Sequence, residues 1–191
     1  MANRSKERIE GAAAVLMSRD GYRGTGLKAI SDAAELPYGS IYHHFPGGKE
    51  EIAATAISSM GTMVGALLDG LFAEGIDRAT LRAMFGFMAD RLEGSGWNDG
   101  CSIGTPALDG SAASPAVREA SRQAFGRMIE PMATALVRQG ASQADALEVA
   151  TTILSTYEGA TMLARAQCSR APLDLACRSM VRLVEATSTA P

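Results

Sequence analysis

The sequence predicts an all-α chain, with a small N-terminal head of three helices and a larger helical body. Three observations predict it. Apolar residues recur at i, i+3, i+4 and i+7 through most of the 191 residues, and glycine or proline falls between those runs. No stretch alternates apolar with polar as a half-buried strand requires. With 47% apolar content, the chain can also build a core.

The head is read first. Ser5 to Arg19 is amphipathic, with Ile9, Ala12 or Ala13 and Leu16 on one side, and Gly21 stands where a left-handed C-cap belongs. Thr25 or Gly26 starts a second helix, LKAISDAAEL, whose buried stripe is Leu27, Ile30, Ala33 and Ala34. Glu35-Leu36-Pro37 breaks it, and Pro37 pre-sets the backbone for a third helix from Gly39 to Phe45. Ile41 and Phe45 share one face of that helix; Gly39, Ser40, Tyr42 and His43 lie on the other. Pro46-Gly47-Gly48 stops it and Lys49 opens the next. A short helix that buries two anchors and exposes small residues, hydroxyls and rings is built to be read by a partner. Helix, tight break and short helix form the helix-turn-helix arrangement, whose second helix enters the DNA major groove while the first crosses the backbone.

The body reads as longer helices. Lys49 to about Ala73 carries Ile52, Ala56, Met60, Met63, Leu67 and Leu71 on one stripe, and Gly75 ends it. Asp77 or Thr80 to Leu92 carries Leu81, Met84, Phe85, Met88 and Leu92. EGSGWNDGCSIGTPALDG is a loop with a short helix near Ile103–Leu108. Ser114-Pro115 is an N-cap followed by a first-turn proline; it starts a helix toward Arg138 that holds Pro131 and should kink there. Ser142 starts another helix to about Cys168, and Pro172 starts the last, which ends near Thr187. That makes nine helices.

The helix across ALEVATTILSTYEGATMLARA is apolar or small on nearly every side, so it should be buried all round, one face against its own core and the other against a second subunit. Gly159, Ala160 and Ala164 permit close approach, and the last helix completes the pairing. Ile153, Gly159, Ala160, Ala164, Met180, Leu183 and Val184 are therefore the candidate dimer residues.

Composition narrows the function classes. The net charge is −3, yet all three lysines (Lys6, Lys28, Lys49) and both histidines lie in the first 50 residues. That segment holds seven Lys/Arg against six Asp/Glu, whereas the remainder holds eleven against fifteen. A mildly basic head on an acidic body suits a few placed phosphate contacts rather than a polycationic grip. Three cysteines without a C-x-x-C spacing, and no secretory leader, read as a reduced cytoplasmic protein. No apolar run reaches the ~18 residues of a membrane span. The chain lacks a nucleophile–base pair, a phosphate-binding loop and any histidine outside the head, so it reads as no enzyme, and no cofactor is implied. His43 and His44, adjacent on a helix, point about 100° apart, which argues against a metal site.

GYRGTGLKAISDAAELPYGSIYHHFPGGKEE resembles the DNA-binding domain of the TetR/AcrR family of transcriptional repressors. The likeness runs from about Arg8 to Ala56. Its core is Gly21, Thr25, Ile30, Ala33-Ala34, Gly39 to Phe45 and Lys49-Glu50. Pro37 together with PGGKE, and CSIGTPALD further on, resemble the LmrA/YxaF-like branch. Glu35 departs from the family's turn glycine, and Tyr38 from its common lysine.

The resemblance implies a DNA-binding domain over 1–50 and a ligand-binding and dimerisation domain over 51–191. It implies a homodimer formed by the last two helices and an inducer bound between the body helices. With the helix faces, it marks Thr25, Lys28, Tyr42 and Lys49 as phosphate contacts, places Gly39, Ser40 and His43 near base edges, and adds Pro37 and Tyr38 to the contact set. Methionines suggest the sensor, since thioethers adapt to irregular apolar ligands. Met60, Met63, Leu67, Met84, Phe87, Met88, Trp97, Met128, Met132 and Tyr157 are the candidate ligand-binding residues. The function implied is a ligand-responsive repressor on a palindromic operator, released by a small hydrophobic or aromatic inducer. A DNA-binding structural or regulatory protein with no inducer stays open beside it.

Overall fold

The computed structural model describes residues 2–187, with side chains from Arg4 onward. Among these residues there are nine helices and no strand: α1 Ala2–Gly24, α2 Leu27–Ala33, α3 Gly39–His44, α4 Gly48–Leu71, α5 Arg78–Gly94, α6 Gly104–Gly110, α7 Pro115–Arg138, α8 Gln143–Gln167 and α9 Ala171–Thr187. The chain forms two compact units, Met1–Met63 with Cys101–Phe125, and Val64–Gly100 with Gly126–Pro191. Compactness thus does not divide the chain at residue 50, because the start of α4, all of α6 and the first half of α7 fold with the head.

In the first unit, α1 meets α2, α3 and α6, and α2 meets α3. The buried line of α1 is Ile9, Ala13 and Met17. It follows i, i+4 steps, so Met17 replaces the expected Leu16 as the third inward residue. Gly21 interrupts α1 with φ of 74°, the left-handed region expected of it. α2 stops at Ala33, shorter than expected, and buries Ile30, Ser31 and Ala34, while Ala33 faces solvent. The break is tied by hydrogen bonds: the Ser31 hydroxyl donates to the Leu36 carbonyl at 2.7 Å, and the Leu36 N–H to Ser31 at 3.1 Å.

Glu35 sits in that break with φ of 50°. A left-handed conformation costs a non-glycine residue ~1–2 kcal/mol. Its carboxylate in turn meets the Arg8 guanidinium at 2.9 Å. The departure from glycine therefore leaves the turn intact and adds an ion pair to α1.

In the second unit, α8 packs on α9, and both pack on α5. α5 begins with a capping box, the Asp77 carboxylate accepting from the Thr80 N–H at 2.8 Å and the Thr80 hydroxyl accepting from the Asp77 N–H at 2.9 Å. That donation holds the Asp77 carboxyl below its usual range. Ser142 caps α8 by accepting from the Asp145 N–H at 3.1 Å. α8 ends at Cys168, left-handed with φ of 47°, and Arg170 ties the following turn to Asp90 and Glu93 of α5 at 2.7 and 2.6 Å. α7 remains a single helix through Pro131.

Three readings of the body need correction. On α4 the inward positions include Ile52, Ala53, Ala56, Ile57, Gly61, Gly65 and Leu68, and Phe72 just past its end continues the line. Met63 and Leu67 face outward because small residues hold the inner face. α8 is not buried on every side: Leu147, Met162 and Leu163 are exposed. By length and composition α4 is also apolar enough to cross a membrane, the sole such helix among the described residues, and 39% of its most apolar window is buried.

The Glu35 turn gives a direct test. Glu35→Ala keeps the left-handed strain and loses the ion pair, whereas Glu35→Gly loses the pair but relieves the strain. Chemical denaturation should find Glu35→Gly more stable than Glu35→Ala by about 1 kcal/mol.

Candidate nucleic-acid interface

Helix α3 has only six residues, and its position is set by two side chains. Ile41 and Phe45 are both 0% exposed. Pro37 opens the helix by accepting from the Ser40 N–H at 2.8 Å, and the Phe45 N–H closes it onto Ile41 at 2.8 Å. The opposite face stays open. Tyr38 is 45% and Tyr42 50% exposed, and Gly39 and His43 are exposed with them; Ser40 is half-buried. The Tyr38 and Tyr42 rings meet edge-on at 6.1 Å, and the neighbouring Tyr42 hydroxyl pushes the Tyr38 phenol up. His43 packs edge-on against His44 at 4.8 Å. The face thus presents two phenols, an imidazole and a glycine, all able to approach a groove closely.

The flanks carry the cations. Lys28 is exposed on α2 and pairs with Asp32 one turn on. Lys49, in the first turn of α4, lies 4.7 Å over the Tyr22 ring and donates to the Arg23 carbonyl at 3.3 Å. Burial pushes its ammonium down, with the Asp109 carboxylate opposing. Lys6 lies 5.4 Å over the Phe45 ring from α1.

Eight of the nine expected contact residues have at least part of their surface open: Lys28, Pro37, Tyr38, Gly39, Ser40, Tyr42, His43 and Lys49. Thr25 does not. It is buried, and its hydroxyl donates to the Gly21 carbonyl at 2.8 Å, satisfying the backbone where α1 breaks. Its hydroxyl serves the fold, and the expectation that it reaches phosphate is corrected.

Asp109 on α6 carries no signal in the local sequence pattern. Its carboxylate accepts from the Tyr22 N–H at 2.9 Å and the Arg23 N–H at 2.7 Å, just past the Gly21 kink. A Cβ on Gly21 would come within 3.1 Å of that carboxylate. Nearby, the Ser114 hydroxyl donates to Glu50 at 2.6 Å while capping α7 at the Val117 N–H. No local pattern reports a contact between residues 87 positions apart.

The expected ligand residues divide. Met84, Met88, Met128, Met132 and Tyr157 are buried in the second unit, where Tyr157 meets Phe85 edge-on at 5.3 Å. Met60 and Trp97 are half-buried. Met63, Leu67 and Phe87 are 51%, 62% and 63% exposed, so they do not line the interior. Among the dimer candidates, Ile153, Ala160, Ala164, Met180 and Val184 are already closed within the unit, and Gly159 and Leu183 are half-buried. Those residues pack α8 and α9 within the subunit; the apolar side chains left open there are Leu147, Met162, Leu163 and Leu175.

A helix-turn-helix head with an open reading helix agrees with what known proteins show. Residues 9–56 match the model of bacterial regulatory proteins of the tetR family, and residues 78–179 match the C-terminal domain of LmrA/YxaF-like transcriptional regulators. The chain belongs to the TetR family, in its LmrA/YxaF-like branch. It is a transcriptional regulator, not an enzyme. It is 29% identical over 170 residues to the HTH-type transcriptional regulator LmrA of Bacillus subtilis, covering 88% of this chain and 90% of that one. With YxaF of the same organism it shares 29% over 181 residues, covering 94% and 95%. A TetR transcriptional regulator from Legionella pneumophila has the same fold, with a TM-score of 0.83 at 24% identity over 93% of this chain and 96% of the other.

Asp109→Ala should leave the Tyr22 and Arg23 N–H groups without their acceptor and cost about 1–3 kcal/mol of stability. Denaturant melts read this, and hydrogen exchange should place the loosening at residues 21–25.

Proposed function

We propose that this TetR-family regulator is a ligand-responsive repressor, binding a palindromic operator as a homodimer and released by a small hydrophobic or aromatic inducer. The open face of α3, held by buried anchors, is the observation that carries this reading. Residues 1–50 supply the DNA contacts and residues 51–191 the dimer and the ligand site. Tyr38, Gly39, Ser40, Tyr42 and His43 face the groove, while Lys28 and Lys49 seek phosphates from the flanks. Phosphate contacts position a protein on DNA and base contacts specify the sequence. A two-fold dimer would set two copies of α3 one DNA turn apart, ~34–36 Å, which is why the operator is palindromic. The protein works in the cytoplasm, with its DNA.

Support for the dimer comes from Leu147, Met162 and Leu163 on α8 and Leu175 on α9, large apolar side chains left in water on the two helices expected to pair. Support for the inducer comes from the buried thioethers of Met84, Met88, Met128 and Met132. Inducer binding would favour the DNA-incompetent state by ~1–3 kcal/mol.

Fluorescence anisotropy on duplex DNA from upstream of the chain's own gene tests the whole reading. Specific binding that an aromatic compound reverses supports it, and binding that no compound in a broad panel reverses leaves a regulator without an inducer. Lys49→Ala should weaken binding to every sequence and flatten the salt dependence, reducing the log–log slope by about 0.9.

The dimer has its own variant. Leu163→Glu places a charge on the open face and should give folded monomers with operator affinity reduced about a hundredfold or more, because a buried unpaired charge costs several kcal/mol. Ala160→Glu should unfold the protein instead, since that position is closed within the subunit. Sizing chromatography and circular dichroism separate the two outcomes.

A further inference from the structure

Arg127 lies on α7, one residue before Met128 and one helical turn before Pro131. Its Nη1 is buried and has no hydrogen-bond partner among the described residues. A guanidinium is always charged and has five N–H donors, so a buried unmatched nitrogen on it is costly. The backbone at this position is equally unusual. Four residues on, Pro131 has no N–H to return to the Arg127 carbonyl. That carbonyl faces Gly65 of α4, where a Cβ would stand 3.2 Å from the oxygen and 3.3 Å from the Arg127 Cβ. The close approach fixes the stem of Arg127, and Gly65 has no side chain with which to offer an acceptor. A core needs neither the charge nor the proline here, since an apolar residue of similar volume would pack without a desolvation cost.

We propose that Arg127 is an anion-binding residue of the C-terminal domain, receiving the carboxylate of a small organic acid whose apolar part lies against the buried methionines of α7. The inference rests on the reading that this domain binds a small ligand, and it names the class of that ligand. One guanidinium matches a single negative charge with a planar pair of oxygens. A phosphate would bring more charge than one arginine can balance.

The test uses the whole 191-residue chain, its Arg127→Met variant, and two probes that share the naphthyl ring, the anion 2-naphthoate and its neutral methyl ester. In the wild type, calorimetry should show 2-naphthoate binding about tenfold tighter or more than the ester. Arg127→Met, which keeps an unbranched apolar stem, should abolish that preference and leave ester binding unchanged. Without ligand, the variant should melt about 2 °C or more above the wild type, because a buried donor nitrogen without a partner has been removed. Equal binding of acid and ester by the wild type overturns the inference, as does failure of both probes to bind. So does an acid preference that survives Arg127→Met, or a variant less stable than the wild type, which would show that the guanidinium is already satisfied. The two readings fail separately. If the ester alone binds and releases DNA, the arginine assignment falls and ligand responsiveness stands; if 2-naphthoate binds through Arg127 without releasing DNA, the reverse holds.

Discussion

A helix of six residues does not persist alone in water, because nucleation costs more than its few hydrogen bonds return. The reading helix α3 therefore exists only because Ile41 and Phe45 are driven into the head. Each buried side chain of that size contributes ~1.5–3 kcal/mol relative to exposure, enough for two anchors to hold a helix that propensity would not. With the inward face fixed, the exposed side chains of α3 and its N-cap are not needed to anchor it. Tyr38, Gly39, Tyr42 and His43 can be chosen for what they touch. Tyr38 in place of a lysine can then alter what the head reads without altering its fold.

The joint beneath α3 is held by contacts of very different sequence range. Gly21, Pro37 and the Pro46-Gly47-Gly48 stop were legible because each residue type has a local backbone consequence. The number and order of helices were legible for the same reason. Thr25 was misassigned because its hydroxyl has two uses, and pattern alone does not separate a phosphate contact from a bond to the Gly21 carbonyl. Asp109 was invisible: it reaches α1 from another part of the chain and closes the backbone that Gly21 opens. Glu35 lies between these cases, since its departure from glycine was plain but its partner Arg8 was not.

In the body, reading large apolar residues as the inward face failed where close packing wanted small ones. Gly61 and Gly65 hold the inner line of α4, which turns Met63 and Leu67 outward. The small residues of α8 misled in the opposite sense. Their size suggests a second subunit, yet Ala160 and Ala164 are buried within their own unit, and the large side chains left exposed on α8 are Leu147, Met162 and Leu163. Both errors have one cause: a small side chain marks a close approach without saying which neighbour approaches. The same reasoning makes Gly65 informative, because its missing side chain lets the Arg127 carbonyl come near.

The central claim is that the open face of α3 reads base sequence while its buried face only holds it in place. Selection of binding sites from a random duplex library, run in parallel with the wild type and with His43→Ala, tests this most directly. The account predicts symmetric half-sites for both proteins, with the variant losing its preference at one or two base pairs in each half-site and keeping the remainder. An unchanged consensus for His43→Ala, at every position and with the same strength, would contradict it.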